Sequence, residues 1–130
     1  MVTDLVLRRL EKAEIAFADA EVLFNRGSFA GAINRYYYAV FFAVKALLAT
    51  KKLDAAKHSG VISIFNREFV KGGQISKKAS KTVTRLFNMR SEADYDDFAV
   101  FERQHLLTVR DDVRSLIDEI SAYLSREWFR

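Results

Sequence analysis

Val6, Leu10, Ala13, Phe17, Ala20 and Phe24 recur at spacings of four and three, which places them on one side of an amphipathic helix over residues 4–26. Thr3 stands where an N-cap is wanted and Gly27 where a left-handed stop is wanted. From Ser28, a second cap candidate, the next helix carries Phe29, Ile33, Tyr36, Val40, Val44 and Leu47 on one face. Tyr37, Phe41, Phe42 and Leu48 widen that face, so this helix needs cover from several directions. It is either the centre of a bundle or part of a subunit interface. Residues 51–57 are polar and predict a loop, after which Ser59 can cap a shorter helix bearing Ile62, Phe65 and Phe69, ended by Gly72 and Gly73.

A fourth helix, from about residue 76 to near Glu92, is marked by Val83, Leu86 and Phe87. The last begins near Phe98 or Phe101, capped by Asp94, Asp96 or Asp97, and carries Leu106, Val109, Val113, Leu116, Ile120 and Tyr123 as a long stripe. Trp128 and Phe129 are expected to pack back onto the body. The pattern predicts an all-α fold: an up-and-down antiparallel bundle of four long helices plus one short helix, with residues 1–130 forming a single domain. Short connections favour antiparallel neighbours, and 130 residues suffice for one core but not comfortably for two.

Composition narrows the chemistry. The absence of proline and the presence of only five glycines speak against short strands and hairpins. The absence of cysteine excludes disulfides, thiolate metal sites and thiol catalysis, and fits a reducing cytoplasm. The opening MVTDLVLRRLEKAE carries charges inside what a signal peptide would keep apolar, so no export is expected. The most apolar run, YYYAVFFAVKALLA at 36–49, is interrupted by Lys45 and falls short of the roughly 20 residues that span a bilayer. A net charge of +4 and a pI near 9.4 permit a phosphate-bearing partner without requiring one.

Charge is segregated along the chain. Lys71, Lys77, Lys78, Lys81, Arg85 and Arg90 precede Glu92, Asp94, Asp96, Asp97 and Glu102. Lys78, Lys81 and Arg85 share a helix face, which is either a track for a phosphate backbone or a solvated face near a helix end. The carboxylates lack the glycine and terminal glutamate of a calcium loop, and neither His58 nor His105 has a helical partner at metal-binding spacing, so no metal or other cofactor is expected. His58 reads as a cap-region residue, and His105 as an acid or base only if it faces a groove. Asn34 and Arg35 put polar groups on the most buried helix. The guanidinium there is expected to pair with Glu92, Asp94, Asp96 or Asp97.

NRYYYAVFFAVKALL, KHSGVISIFNREFVKGG and LFNMRSEADYDDF occur in that order over residues 4–125, and together they resemble a prokaryotic HEPN-domain family of small stand-alone proteins. The resemblance implies an antiparallel bundle that pairs as a homodimer, works beside a minimal nucleotidyltransferase, and in many members cuts RNA as a toxin. Those ribonucleases carry an arginine followed four to six residues later by a histidine. Here Arg90 matches the arginine, and Tyr95 occupies the histidine's place. A metal-independent ribonuclease needs a group that titrates near neutral pH, which a phenol does not. The resemblance therefore implies a cytoplasmic protein contacting RNA or nucleotide through a dimer cleft around Arg90 and Tyr95, with Arg35, Asn34, Lys81 and Arg85 extending it and Asp94 and Asp97 supporting it. The alternatives are an active ribonuclease using His105 or His58, and a bundle that only binds partner proteins. Because the second helix is apolar on several sides, a symmetric dimer is expected to bury part of it or of the final helix.

Overall fold

A computed structural model describes residues 1–129 as helices α1 (Val2–Asn25), α2 (Phe29–Thr50), α3 (His58–Phe65), α4 (Lys77–Tyr95) and α5 (Arg103–Glu127). A π-helical turn, Asn66–Val70, carries α3 onward until the Lys71 N–H meets the Asn66 carbonyl at 2.9 Å. No strand occurs among the described residues, and no described helix is long and apolar enough to cross a membrane.

The chain reverses between α1 and α2 because Gly27 takes a φ of +79°, which glycine alone adopts without strain. That lets the Gly27 and Ser28 N–H groups reach back to the Phe24 and Leu23 carbonyls at 3.0 and 2.9 Å, the two bonds of a Schellman stop. α2 then packs against α1, α3, α4 and α5, so it is the centre of the bundle. Ile33, Tyr36, Tyr37, Val40, Val44, Leu47 and Leu48 on it are buried, while Tyr38, Phe41 and Phe42 are partly covered against the same core. Most of its wide apolar surface is therefore covered within one chain, with Tyr38, Phe41 and Phe42 left partly exposed. Large exposed apolar side chains lie instead on α1 (Leu5, Leu7, Ile15, Val22) and around the α4–α5 turn (Tyr95, Phe98, Val100).

Several expected helix ends move. Thr3 lies inside α1, whose cap position is Met1, and Ser59 lies inside α3, capped in backbone only by Lys57. Ser76 does cap α4: its Oγ accepts the Ala79 N–H at 3.0 Å, and its own N–H and O–H both reach the Glu119 carboxylate at 2.7 Å, tying α4 to α5. α4 continues past Glu92 to Tyr95, so Arg90, Glu92 and Asp94 are helical, while Asp96 and Asp97 lie in the turn that follows. α5 begins behind Glu102 with no side-chain cap. The expectation that Asp94, Asp96 or Asp97 caps it is thus corrected: Asp96 accepts the Phe98 N–H at 3.0 Å and closes the turn, and Asp94 is engaged on its own helix. Phe129 packs on the core, whereas Trp128 stays 36% exposed. Arg114 clamps α5 to α1 by forking onto Glu14 at 2.9 and 2.6 Å. The buried Tyr36 hydroxyl donates to Glu21, which also faces Arg110, and burial followed by that carboxylate pushes the phenol's pKa far up.

Candidate functional site

Helical periodicity sets Asn34 and Arg35 one turn before Tyr37 and Tyr38 on α2. The Arg35 guanidinium carbon sits 5.2 Å from the centre of the Tyr38 ring. From α4, Arg90 reaches the same place, 5.8 Å from the Tyr38 ring and 5.4 Å from that of Tyr37. Two guanidiniums thus share one tyrosine, each within the reach of a cation–π contact with its electron-rich ring.

The expected ion pair of Arg35 with Glu92, Asp94, Asp96 or Asp97 does not form; Asp94 is taken by Arg90 instead. Arg90 Nε lies 2.9 Å from Asp94 Oδ2 across one helical turn, but the N–H does not point at the oxygen, so the contact is an ion pair and not a hydrogen bond. The Nε atoms of Arg35 and Arg90 are the two buried side-chain polar atoms without a hydrogen-bond partner among the described residues. An orphaned buried donor costs about 1–3 kcal/mol. That cost falls on Arg35, while the Asp94 carboxylate offsets it at Arg90; both side chains lie beside Tyr38. Arg35 also borders an open depression of about 440 Å³ with Asp19, Val22 and Leu23.

α3 brings His58 against the same rings. Gly60 permits this, because a Cβ there would stand 2.9 Å from the Ala55 Cβ and push the first turn of α3 outward. His58 packs 4.3 Å from the Phe41 ring centre and 5.7 Å from that of Tyr37, and its Nδ1 lies 2.6 Å from the Tyr37 hydroxyl. Its pKa is lowered by partial burial first, then by the charges of Arg90 and Lys45. Burial pushes the Tyr37 phenol up to about 12 against the opposing pull of Arg90.

The remaining candidates lie elsewhere. Arg85 faces α5, where it donates to Asp112 at 3.0 Å and to His105 Nε2 at 2.6 Å. Five residues of helix separate it from Arg90 by about 140° of arc, so it does not extend the Arg90 surface. Lys81 is exposed and about 180° from Arg90. Tyr95, 79% exposed, is likewise about 140° round from Arg90, and Asp97 is exposed in the turn beyond it. Of the sequence candidates, the fold gathers Arg90, Arg35, Asn34 and Asp94, adds His58, and separates Tyr95, Asp97, Lys81, Arg85 and His105 from them. What sequence reasoning missed were Tyr37, counted as part of an apolar stripe, and Tyr38, given no role of its own. A tyrosine triplet on a buried helix is itself a signal, since each phenol hydroxyl needs a partner.

The HEPN domain family model matches residues 6–123. A UPF0332 protein of Thermotoga maritima is 41% identical over 95 residues, covering 73% of this chain and 72% of that protein. UPF0332 protein PH1297 of Pyrococcus horikoshii is 30% identical, covering 98% of this chain and 81% of its own length. A Methanocaldococcus jannaschii protein named "Putative toxin MJ0142" is 39% identical over 67% of this chain, and the match spans 59% of that protein, less than two thirds of it.

Proposed function

This chain belongs to the HEPN domain family, and on that premise we propose that it is the toxin-like member of a two-protein system, binding the phosphates of RNA or nucleotide through Arg90 and Arg35. The observation that carries the reading is the pair of guanidiniums on Tyr38: Arg35 forms no ion pair with a described residue, and Arg90 holds Asp94 at an angle that makes no hydrogen bond. A phosphate oxygen supplies acceptors where the protein supplies none to Arg35 and only the poorly aimed Asp94 carboxylate to Arg90, and arginine is the side chain suited to it. Half-buried Tyr38 and Phe41 offer ring surface beside it for a base. A homodimer closing over this surface and a nucleotidyltransferase as the second protein, in the cytoplasm, complete the proposal on the strength of the family resemblance.

The test is fluorescence anisotropy with a short single-stranded RNA. Arg90→Ala and Arg35→Ala should each weaken binding about tenfold or more, as expected for a lost charge-assisted contact. The wild-type affinity should fall steeply with salt. Binding that neither substitution changes removes the proposal. A cleavage reading is favoured by one observation: His58 is the imidazole that the fold brings to Arg90's tyrosines. Whether it can act as a base turns on its bond to Tyr37.

A further inference from the structure

Tyr37 is 2% exposed, and His58 Nδ1 is the one hydrogen-bond partner its hydroxyl has among the described residues. A phenol that stays protonated must place its proton somewhere, and a buried O–H left without an acceptor is strongly disfavoured. If Nδ1 carried the imidazole proton, it would donate to the phenol oxygen and leave the phenol proton stranded. If Tyr37 donates to Nδ1, both groups are satisfied and the proton of neutral His58 sits on Nε2. Nε2 itself has no hydrogen bond to the described residues and is not sealed from solvent.

We infer that His58 serves as a hydrogen-bond donor through Nε2–H, completing with Arg90 a grip on a phosphate group, and that Tyr37 holds it in this tautomer. The inference rests on the phosphate-binding reading above and deepens it. A neutral imidazole whose Nδ1 lone pair is occupied by Tyr37 and whose Nε2 bears hydrogen has no site left for a substrate proton. His58 is then a recognition group and not a general base. Arg90 and His58 flank the same two rings: Arg90 lies 5.4 and 5.8 Å from the centres of Tyr37 and Tyr38, His58 5.7 and 6.3 Å. Side chains from α3 and α4 thereby lie beside the same two rings of α2, near enough for the charge of Arg90 to act on His58.

The experiment uses the full chain labelled with ¹⁵N-histidine, with His105→Gln to assign the two ring systems. At neutral pH, Nδ1 of His58 should show the shift of an unprotonated ring nitrogen and Nε2 that of an N–H. Adding oligouridylate should move the Nε2 signal, and inorganic phosphate tested alone tells whether the phosphate group suffices without the strand. His58→Ala should weaken oligouridylate binding about tenfold. His58→Gln, whose amide can donate from nearly the same place, should restore it to within about threefold by retaining that bond. An Nδ1–H tautomer overturns the inference. So does binding that Arg90→Ala destroys and His58→Ala leaves intact, in which case the phosphate site stands without His58. Absence of any oligouridylate binding overturns both the inference and the reading beneath it.

Discussion

α4 carries two arginines with the same kinds of neighbour on opposite sides. Arg85 meets a histidine and an aspartate from α5, and Arg90 has an aspartate one turn on and a histidine from α3 nearby. By residue type the two clusters are alike. They differ in how the donors are satisfied. Arg85 places one nitrogen on Asp112 at 3.0 Å and another on His105 at 2.6 Å, which fastens α4 to α5. Arg90 holds Asp94 at a poor angle, keeps an N–H unpartnered, and leaves His58 bonded to Tyr37 rather than to itself. On the proposed reading, the difference separates an arginine that fastens two helices from one that meets a ligand.

The comparison can be broken most severely at Gly60. Gly60→Val drives a branched side chain into Ala55 and should cost about 1–3 kcal/mol, with RNA binding falling as His58 is displaced. Thermal unfolding and anisotropy on one preparation check this; an unchanged melting temperature would mean that α3 is not held by that contact. On the α5 side, Arg85→Ala should cost about 1–2 kcal/mol, reduced from a buried pair's value because both partners are partly exposed. It should leave RNA affinity within about twofold, since the side chain makes no proposed phosphate contact. On the other side, Asp94→Asn removes the charge that competes for Arg90 and should tighten RNA binding by a few fold, on the order of 1 kcal/mol. Weaker binding by Asp94→Asn would show that the carboxylate positions Arg90 instead of competing for it.

The smallest expected effect is on pH. His58 has a folded-state pKa below its ordinary value, from partial burial and then from Arg90 and Lys45, while Tyr37 offers it a donor rather than a charge. The unfolded chain therefore takes up the proton more readily. The stability tied to His58 is fully present above about pH 6.5 and declines as pH falls through the folded-state value. Denaturant unfolding at pH 7 and pH 5.5 should show a drop that His58→Gln removes. A drop of equal size in His58→Gln would assign it to other groups.

Much of the fold was legible because apolar residues repeat with the helical period: the stripes of α1, α2 and α5 lie where Val6 to Phe24, Ile33 to Leu47 and Leu106 to Ile120 placed them. Helix ends were less so, because Thr3 and Ser59 have capping side chains but the backbone is already helical at each, and only Ser76 uses its hydroxyl as a cap. Ending α4 at Glu92 would have freed Tyr95 to fold back towards Arg90; three further helical residues turn it away. The Arg90–Arg35 pairing was not legible as such, since it depends on α4 crossing α2 at Tyr38. Arg35's lack of an acid could not be read from a sequence with five nearby in the chain's acidic block. Nor is Arg90 wholly free of the fold, as it covers two tyrosine rings and is only 24% exposed, so its removal costs some stability as well.

The most direct measurement sets the two arginines side by side: RNA affinity by anisotropy and unfolding free energy by denaturant titration, for wild type, Arg85→Ala and Arg90→Ala. Arg90→Ala should lose about tenfold or more in affinity, the weight of a charge-assisted phosphate contact, with the smaller loss of stability, and Arg85→Ala should lose stability with affinity nearly unchanged. Equal affinities for Arg90→Ala and wild type, or a larger affinity loss for Arg85→Ala than for Arg90→Ala, would contradict this.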